Sequence, residues 1–161
     1  MRIDPDSMTD AQYEAYRGEC DARSAAEFRY RREACGIELA EMADDLGVRL
    51  DTAKRWENPR KGMPPSIRAW AYVDSAYLGL LDAVEAAIQQ VEDTAGALGE
   101  PGSVHLAYRR GNQPTRDGGT VGRANALARA AGIALTALGY EVAVEWADEG
   151  VAGLAARAPR E

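Results

Sequence analysis

A chain of 161 residues, 46% hydrophobic and 28% charged, has room for one ordinary domain or two small ones and the composition of a folded globular protein. Its formal net charge of −7 argues against indiscriminate coating of nucleic acid, and no apolar run approaches the ~20 residues that span a bilayer. The first eight residues have neither the basic start nor the apolar stretch of a secretory signal, so the expectation is a soluble, cytoplasmic protein without a membrane partner.

In chain order, Thr9 with Gln12 three residues later is a capping-box pattern, and it predicts a short helix with no breaker before Gly18. Ser24 with Glu27 repeats the pattern and opens a second helix, closed by Gly36, with Phe28 and Ala34 or Cys35 toward its core. From Glu38 to Leu46, the residues Leu39, Met42, Ala43 and Leu46 make the apolar face of a short amphipathic helix that Gly47 stops. Arg49 to Glu57 forms the next helix, ended by Asn58-Pro59 because the residue before proline avoids helical dihedrals. Two short helices about a glycine-containing turn of three residues have helix-turn-helix spacing.

Pro64-Pro65 suits a helix start, and the chain then runs without proline to Pro101, predicting a long helix, or two nearly continuous ones, over 66–98. Within it Tyr77, Leu81, Val84, Ile88, Val91, Ala95 and Leu98 are spaced as a heptad seam. Such a seam packs either on its own domain or on a second copy of the chain, and we favour the second copy. Val104, Leu106 and Tyr108 alternate as a half-buried strand. Thr120 caps a helix through Leu138 whose Leu127, Ala131, Leu135 and Leu138 line one face, with Gly139 beyond its end. Tyr140, Val142, Val144 and Trp146 alternate as a second strand, permitting a small βαβ unit, paired within one chain or across a dimer. The Ala/Gly-rich tail 148–161 reads as weakly ordered.

Charge is uneven along this chain. Arg49, Lys54, Arg55, Arg60 and Lys61 outnumber Asp51 and Glu57, leaving one local basic docking face in an acidic protein. Arg109, Arg110, Arg116 and Arg123 cluster about a loop, read by default as solvated with a second nucleic-acid contact as the alternative. Gly118-Gly119-Thr120-Val121-Gly122 fits neither phosphate-binding glycine motif and reads as a turn and cap. His105 stands in a strand beside no cysteine or carboxylate pattern, and no nucleophile and base pair up in sequence, so no enzyme, metal or cofactor is expected. Cys20 and Cys35, 15 positions apart, read as reduced structural thiols.

The run Arg32-Glu33-Ala34-Cys35-Gly36-Ile37, with Leu39, Met42-Ala43, Leu46-Gly47-Val48 and Thr52-Ala53-Lys54-Arg55-Trp56-Glu57-Asn58, resembles the phage-repressor (Cro/cI type) helix-turn-helix over about 40 residues. The resemblance implies that Ala43 lets the second helix cross closely, that Gly47 makes the turn, and that Trp56 plugs the core. It departs from the family at Glu38, Arg49 and Leu39, where polar starting residues and a phosphate-touching Gln are usual; Arg49 is a substitute phosphate contact. It further implies that Leu50, Asp51, Thr52, Lys54 and Arg55 belong to the recognition helix. Leu50 there meets a thymine methyl, Asp51 a cytosine amine and Arg55 a guanine, while Arg60 and Lys61 hold the DNA backbone.

The downstream layout, with Val104-His105-Leu106-Ala107-Tyr108 and Val121-Gly122-Arg123 opening an Ala-rich helix, resembles the YdiL-like family and anti-CRISPR-associated repressors. That resemblance implies a C-terminal dimerisation region and repression of the operon encoding the protein.

The expectation is therefore a mainly α protein: an N-terminal helical arm (1–23), a helix-turn-helix domain (24–73), a long connecting helix (74–100), a small C-terminal α/β dimerisation domain with two short strands (101–147), and the tail. Its partners would be double-stranded DNA and a second copy, with Leu81, Val84, Ile88, Val91, Leu106, Tyr108, Leu127 and Leu135 at the dimer interface. The alternative is an antitoxin or interaction protein whose helix-turn-helix autoregulates while the C-terminal domain binds a partner protein.

Overall fold

The computed structural model describes residues 2–99, 103–111, 119–147 and 154–157, which form a mainly helical chain with a small three-stranded sheet. The order is α1 (Asp10–Asp21), α2 (Ala25–Ala34), α3 (Leu39–Leu46), α4 (Leu50–Trp56), α5 (Ile67–Leu98), β1 (Ser103–Tyr108), α6 (Val121–Ala137), β2 (Val142–Trp146) and β3 (Leu154–Arg157), with 3-10 turns at Pro5–Ser7 and Pro59–Lys61. No helix among the described residues is long and apolar enough to cross a membrane. The chain divides into two units, Met1–Gly79 and Leu80–Glu161.

In the first unit the helix boundaries follow their caps. Thr9 and Gln12 form the reciprocal capping box, with Thr9 N–H donating to Gln12 Oε1 at 2.9 Å and Gln12 N–H to Thr9 Oγ1 at 3.3 Å. The helix they open runs past Gly18 to Asp21 and contributes buried Tyr16 and Cys20, so one face of residues 10–21 packs into this unit. A single exposed glycine costs a helix about 1 kcal/mol and does not end it. Ser24 Oγ accepts from Glu27 N–H at 3.1 Å to start α2. Phe28, wholly buried, meets Trp56 and Trp70 edge-on at centroid distances of 6.1 and 5.0 Å, with Ile37, Met42, Ala43, Ala53 and Val73 also buried. Cys20 and Cys35 are buried thiols not joined in a disulfide, and burial raises the Cys20 thiol above its ordinary range, keeping it protonated.

This unit also buries charge. Asp74 on α5, 2% exposed, accepts from Tyr16 Oη at 2.8 Å, Arg23 Nη1 at 2.6 Å and Arg31 Nη1 at 2.8 Å. Burial, and then the bond to Asp74, drive the Tyr16 phenol far above the ordinary tyrosine value. The same two guanidiniums lie over aromatic rings, Arg23 over Trp70 and Arg31 over Tyr77. One carboxylate thus joins α1, α2 and α5.

The second unit is a βαβ unit with an added strand. β1 is central in the order β2-β1-β3: it pairs with β2 in parallel (Val104 opposite Val142, Leu106 opposite Val144) and with β3 antiparallel (Leu106 opposite Leu154). The two alternating strands therefore pair within one chain. β3 corrects the two-strand expectation and, over 154–157, the weakly ordered tail; its Leu-Ala-Ala-Arg sequence carries one bulky apolar residue and no alternation to announce a strand. The remaining tail residues lie outside those described.

Val91, Val104, Leu106 and Leu135 form the second core, with Ile88, Tyr140, Val142 and Leu154 packed against it. This overturns the dimer-interface assignment of Val91, Leu106 and Leu135, which are 0%, 3% and 0% exposed and spend their apolar surface inside their own chain. Ile88 is partly buried against the same core. The seam's periodicity specifies a buried helix face, whichever element covers it. Leu81 (47%) is exposed, while Val84, Tyr108 and Leu127 are half-buried; Leu138, expected on the covered face of α6, is exposed.

Candidate nucleic-acid interface

The helix pair α3 and α4 is set by its turn. Gly47 adopts φ +65° and ψ +32°, the left-handed end of α3 that a side chain would strain, and Val48 N–H then donates to Ala43 O at 2.9 Å. Ala43 is 2% exposed, as close packing beneath α4 requires. Glu38 N–H donates to Glu41 at the start of α3, and Arg49 stands at the start of α4 with no side-chain cap.

Helix α4 has an inner and an outer face. Ala53 and Trp56 point inward and are 0% and 3% exposed. Arg49, Leu50, Asp51, Lys54 and Arg55 are exposed, and Thr52 is half-buried. Leu50, 40% exposed, is a large apolar side chain presented at the first turn of a cationic helix. The following 3-10 turn, held by Asn58 Oδ1 accepting from Arg60 N–H at 3.0 Å, keeps Arg60 exposed beside the helix end. Lys61 ends that turn; its side chain lies outside what is described. Four cationic side chains, Arg49, Lys54, Arg55 and Arg60, thus accompany one exposed acid, Asp51, on and just after α4.

What holds this helix was not legible from local pattern. Arg32, buried on α2, donates from Nε and Nη2 to the two carboxylate oxygens of Glu57, the residue ending α4, and from Nη1 to Ile37 O in the turn before α3. The fork fixes both ends of the motif to α2 at once. Tyr72 Oη donates to Asp45 Oδ2 at 2.6 Å, tying the end of α3 to α5. The signal was the spacing of two opposite charges flanking the motif.

His105 also departs from expectation. Its Nδ1 lies 2.6 Å from Glu145 Oε1 on β2 and its Nε2 2.8 Å from Ser103 Oγ, so a carboxylate 40 residues away is its neighbour through strand pairing. The arrangement satisfies both ring nitrogens and clips β1 to β2. Around the arginine-rich loop, residues 112–118 lie outside those described; Thr120 Oγ1 accepts from Arg123 N–H at 3.3 Å, so Thr120 is a helix cap as expected. Among the described residues no cluster of three or more metal-ligating side chains occurs. Comparison with protein-family models, with curated proteins and with solved structures finds no match to this chain.

Proposed function

We propose that the chain is a sequence-specific DNA-binding transcriptional regulator that presents α4 to the major groove and reads a palindromic operator as a homodimer. The observation supporting this reading is the division of α4: Ala53 and Trp56 fill the core while Arg49, Leu50, Asp51, Lys54 and Arg55 remain together on the exposed side. A helix held by a buried fork, exposing cations around one apolar tip, suits base-edge and phosphate contacts together. Arg55 pairs with guanine O6 and N7, Leu50 packs on a thymine methyl, Asp51 accepts from a cytosine amine, and Arg49, Arg60 and Lys61 neutralise phosphates.

One helix-turn-helix covers a half-site, so a second copy is required for a palindrome. Exposed Leu81 and half-buried Val84, Tyr108 and Leu127 are the remaining interface candidates. On this reading the protein is a cytoplasmic autorepressor. The test is a mobility-shift titration of the full-length protein on the DNA upstream of its own coding region. Binding that falls steeply with salt and protects two half-sites about one helical turn apart is expected; equal affinity for random duplex overturns the reading. The alternative role, an antitoxin that also binds a partner protein, predicts that a pull-down recovers a stoichiometric protein encoded beside it.

A further inference from the structure

We infer that the second unit carries a separate binding site for a phosphorylated nucleoside, with the base stacked on Arg110 and Trp146 and the phosphate held by Arg129 of α6. The inference does not depend on the role of α4.

A helix joining two parallel strands runs back against them, so its amino end lies beside the strands' carboxyl ends, the edge where open α/β sheets take ligands. Here that edge gathers an alternating set of cations and rings. Arg129 Nη1 donates to Tyr108 Oη at 3.0 Å, Tyr108 meets Trp146 edge-on at 6.0 Å, and the Arg110 guanidinium lies over the Trp146 ring at 4.5 Å. The set is positioned by Asn125. Buried on α6, it clamps the peptide of Arg109 from both sides, accepting from Arg109 N–H at 2.8 Å and donating to Arg109 O at 3.0 Å, so that Arg110 leaves β1 beside Trp146.

Two features distinguish this edge from an ordinary surface. Trp146 is 39% exposed although Trp56 and Trp70 are buried, and it stands at the end of an edge strand. In a chain of net charge −7, the described residues of 103–147 hold Arg109, Arg110, Arg123 and Arg129 against Glu141 and Glu145, Glu145 being engaged by His105 and Glu141 lying at the opposite end of β2. Stacked aromatic and guanidinium planes accept a nucleobase of any sequence, while further guanidinium donors match phosphate oxygens. The ligand is a nucleoside phosphate, free in solution or as part of a single strand.

The experiment titrates uniformly 15N-labelled full-length protein with AMP, with an eight-nucleotide single-stranded oligothymidylate, and with inorganic phosphate, following the Trp146 indole N–H resonance. A saturable shift with AMP or with the oligonucleotide is expected, and which of them binds more tightly identifies the source. Arg110→Ala should weaken binding about tenfold by the same resonance, Trp146→Leu should do so when binding is read by titration calorimetry, and Arg17→Ala, exposed on the first unit, should leave it unchanged. Arg110→Ala removes no buried group, so it carries the test even where Trp146→Leu perturbs folding. The inference is overturned by the absence of any saturable shift, or by phosphate alone binding as well as AMP. It is equally overturned if the two substitutions change only the oligomeric state, which makes the patch a protein interface.

Discussion

Arg32 and Glu57, 25 residues apart in sequence, face each other across the inner side of the helix pair with both side chains under 10% exposed and bonded through two nitrogens to two oxygens. Because α4 is only seven residues long, this fork and Trp56 determine its orientation more than its own hydrogen bonds do.

Removing one partner leaves a buried charge alone. Arg32→Ala should destabilise the first unit by about 3 to 5 kcal/mol, since Glu57 and the Ile37 carbonyl both lose their donor. Replacing both partners, as in Arg32→Met with Glu57→Leu, should recover much of that loss. Urea melts of the two variants decide it, and a single substitution costing under about 1 kcal/mol would show that the pair is effectively solvated.

Tyr16 gives a prediction at high pH. Its folded value lies above the ordinary 10.0, so its contribution is fully present below about pH 10 and is lost as the pH rises beyond that, where the unfolded chain ionises first. Tyr16→Phe should lower stability by about 1.5 to 3 kcal/mol at neutral pH through the lost bond to Asp74. It should also flatten the decline between pH 10 and 11. Thermal melts across that range, comparing the two proteins, measure both effects.

Gly132 on α6 faces the second core. A Cβ placed there meets Leu106 Cδ1 at 3.1 Å and Val142 Cγ1 at 3.8 Å, and Leu106 is already buried. Gly132→Val should destabilise by about 1 to 3 kcal/mol through overpacking, whereas Gly18→Ala, which meets nothing within 4 Å, should stabilise by up to about 1 kcal/mol through helix propensity. Calorimetry of the two variants should show opposite signs.

The proposed DNA contacts separate by their failure modes. Arg55→Ala should cost about 1 to 3 kcal/mol at the operator and little on random duplex, while Arg60→Ala and Lys61→Ala should weaken both alike and each reduce the salt slope by about one. Titrations on both DNAs at two salt concentrations distinguish them. Operator preference that survives Arg55→Ala but not Arg60→Ala means that α4 is not the reading element.

Much of the architecture was legible because it is written locally. Thr9 with Gln12, Ser24, Gly47 and Thr120 mark helix ends through bonds made within four residues, and the alternation in 104–108 and 142–146 marks strands through side-chain period alone. The helix-turn-helix was visible because Ala43, Gly47 and Trp56 each answer a steric demand at fixed spacing. What escaped depends on meetings across the chain. Asp74 reads in sequence as a solvated acid on a helix, and only folding brings Tyr16, Arg23 and Arg31 to it. His105 has only Ser103 as a local partner, and parallel pairing supplies Glu145. The heptad seam showed that one face of α5 is covered but carried no information on what covers it, which is why Val91 was assigned to a second copy and is found against Val104 and Leu135. Arg129 stands apart from the loop arginines in sequence, and only the packing of α6 on β1 brings it to Tyr108.

The central place of β1 has a consequence for how the protein is made. Both of its neighbours are encoded after it, β2 beginning 34 residues and β3 46 residues past its last residue. The first unit closes on contacts that are all available once Gly79 has been synthesised, whereas β1 emerges from the ribosome with Val104 and Leu106 uncovered and two unpaired edges. It stays so until β2 and then β3 have followed. A chain stopped before Leu154 therefore lacks one whole edge of the sheet. The order of folding is imposed by topology: the helical unit first, the sheet only once Arg157 has been made.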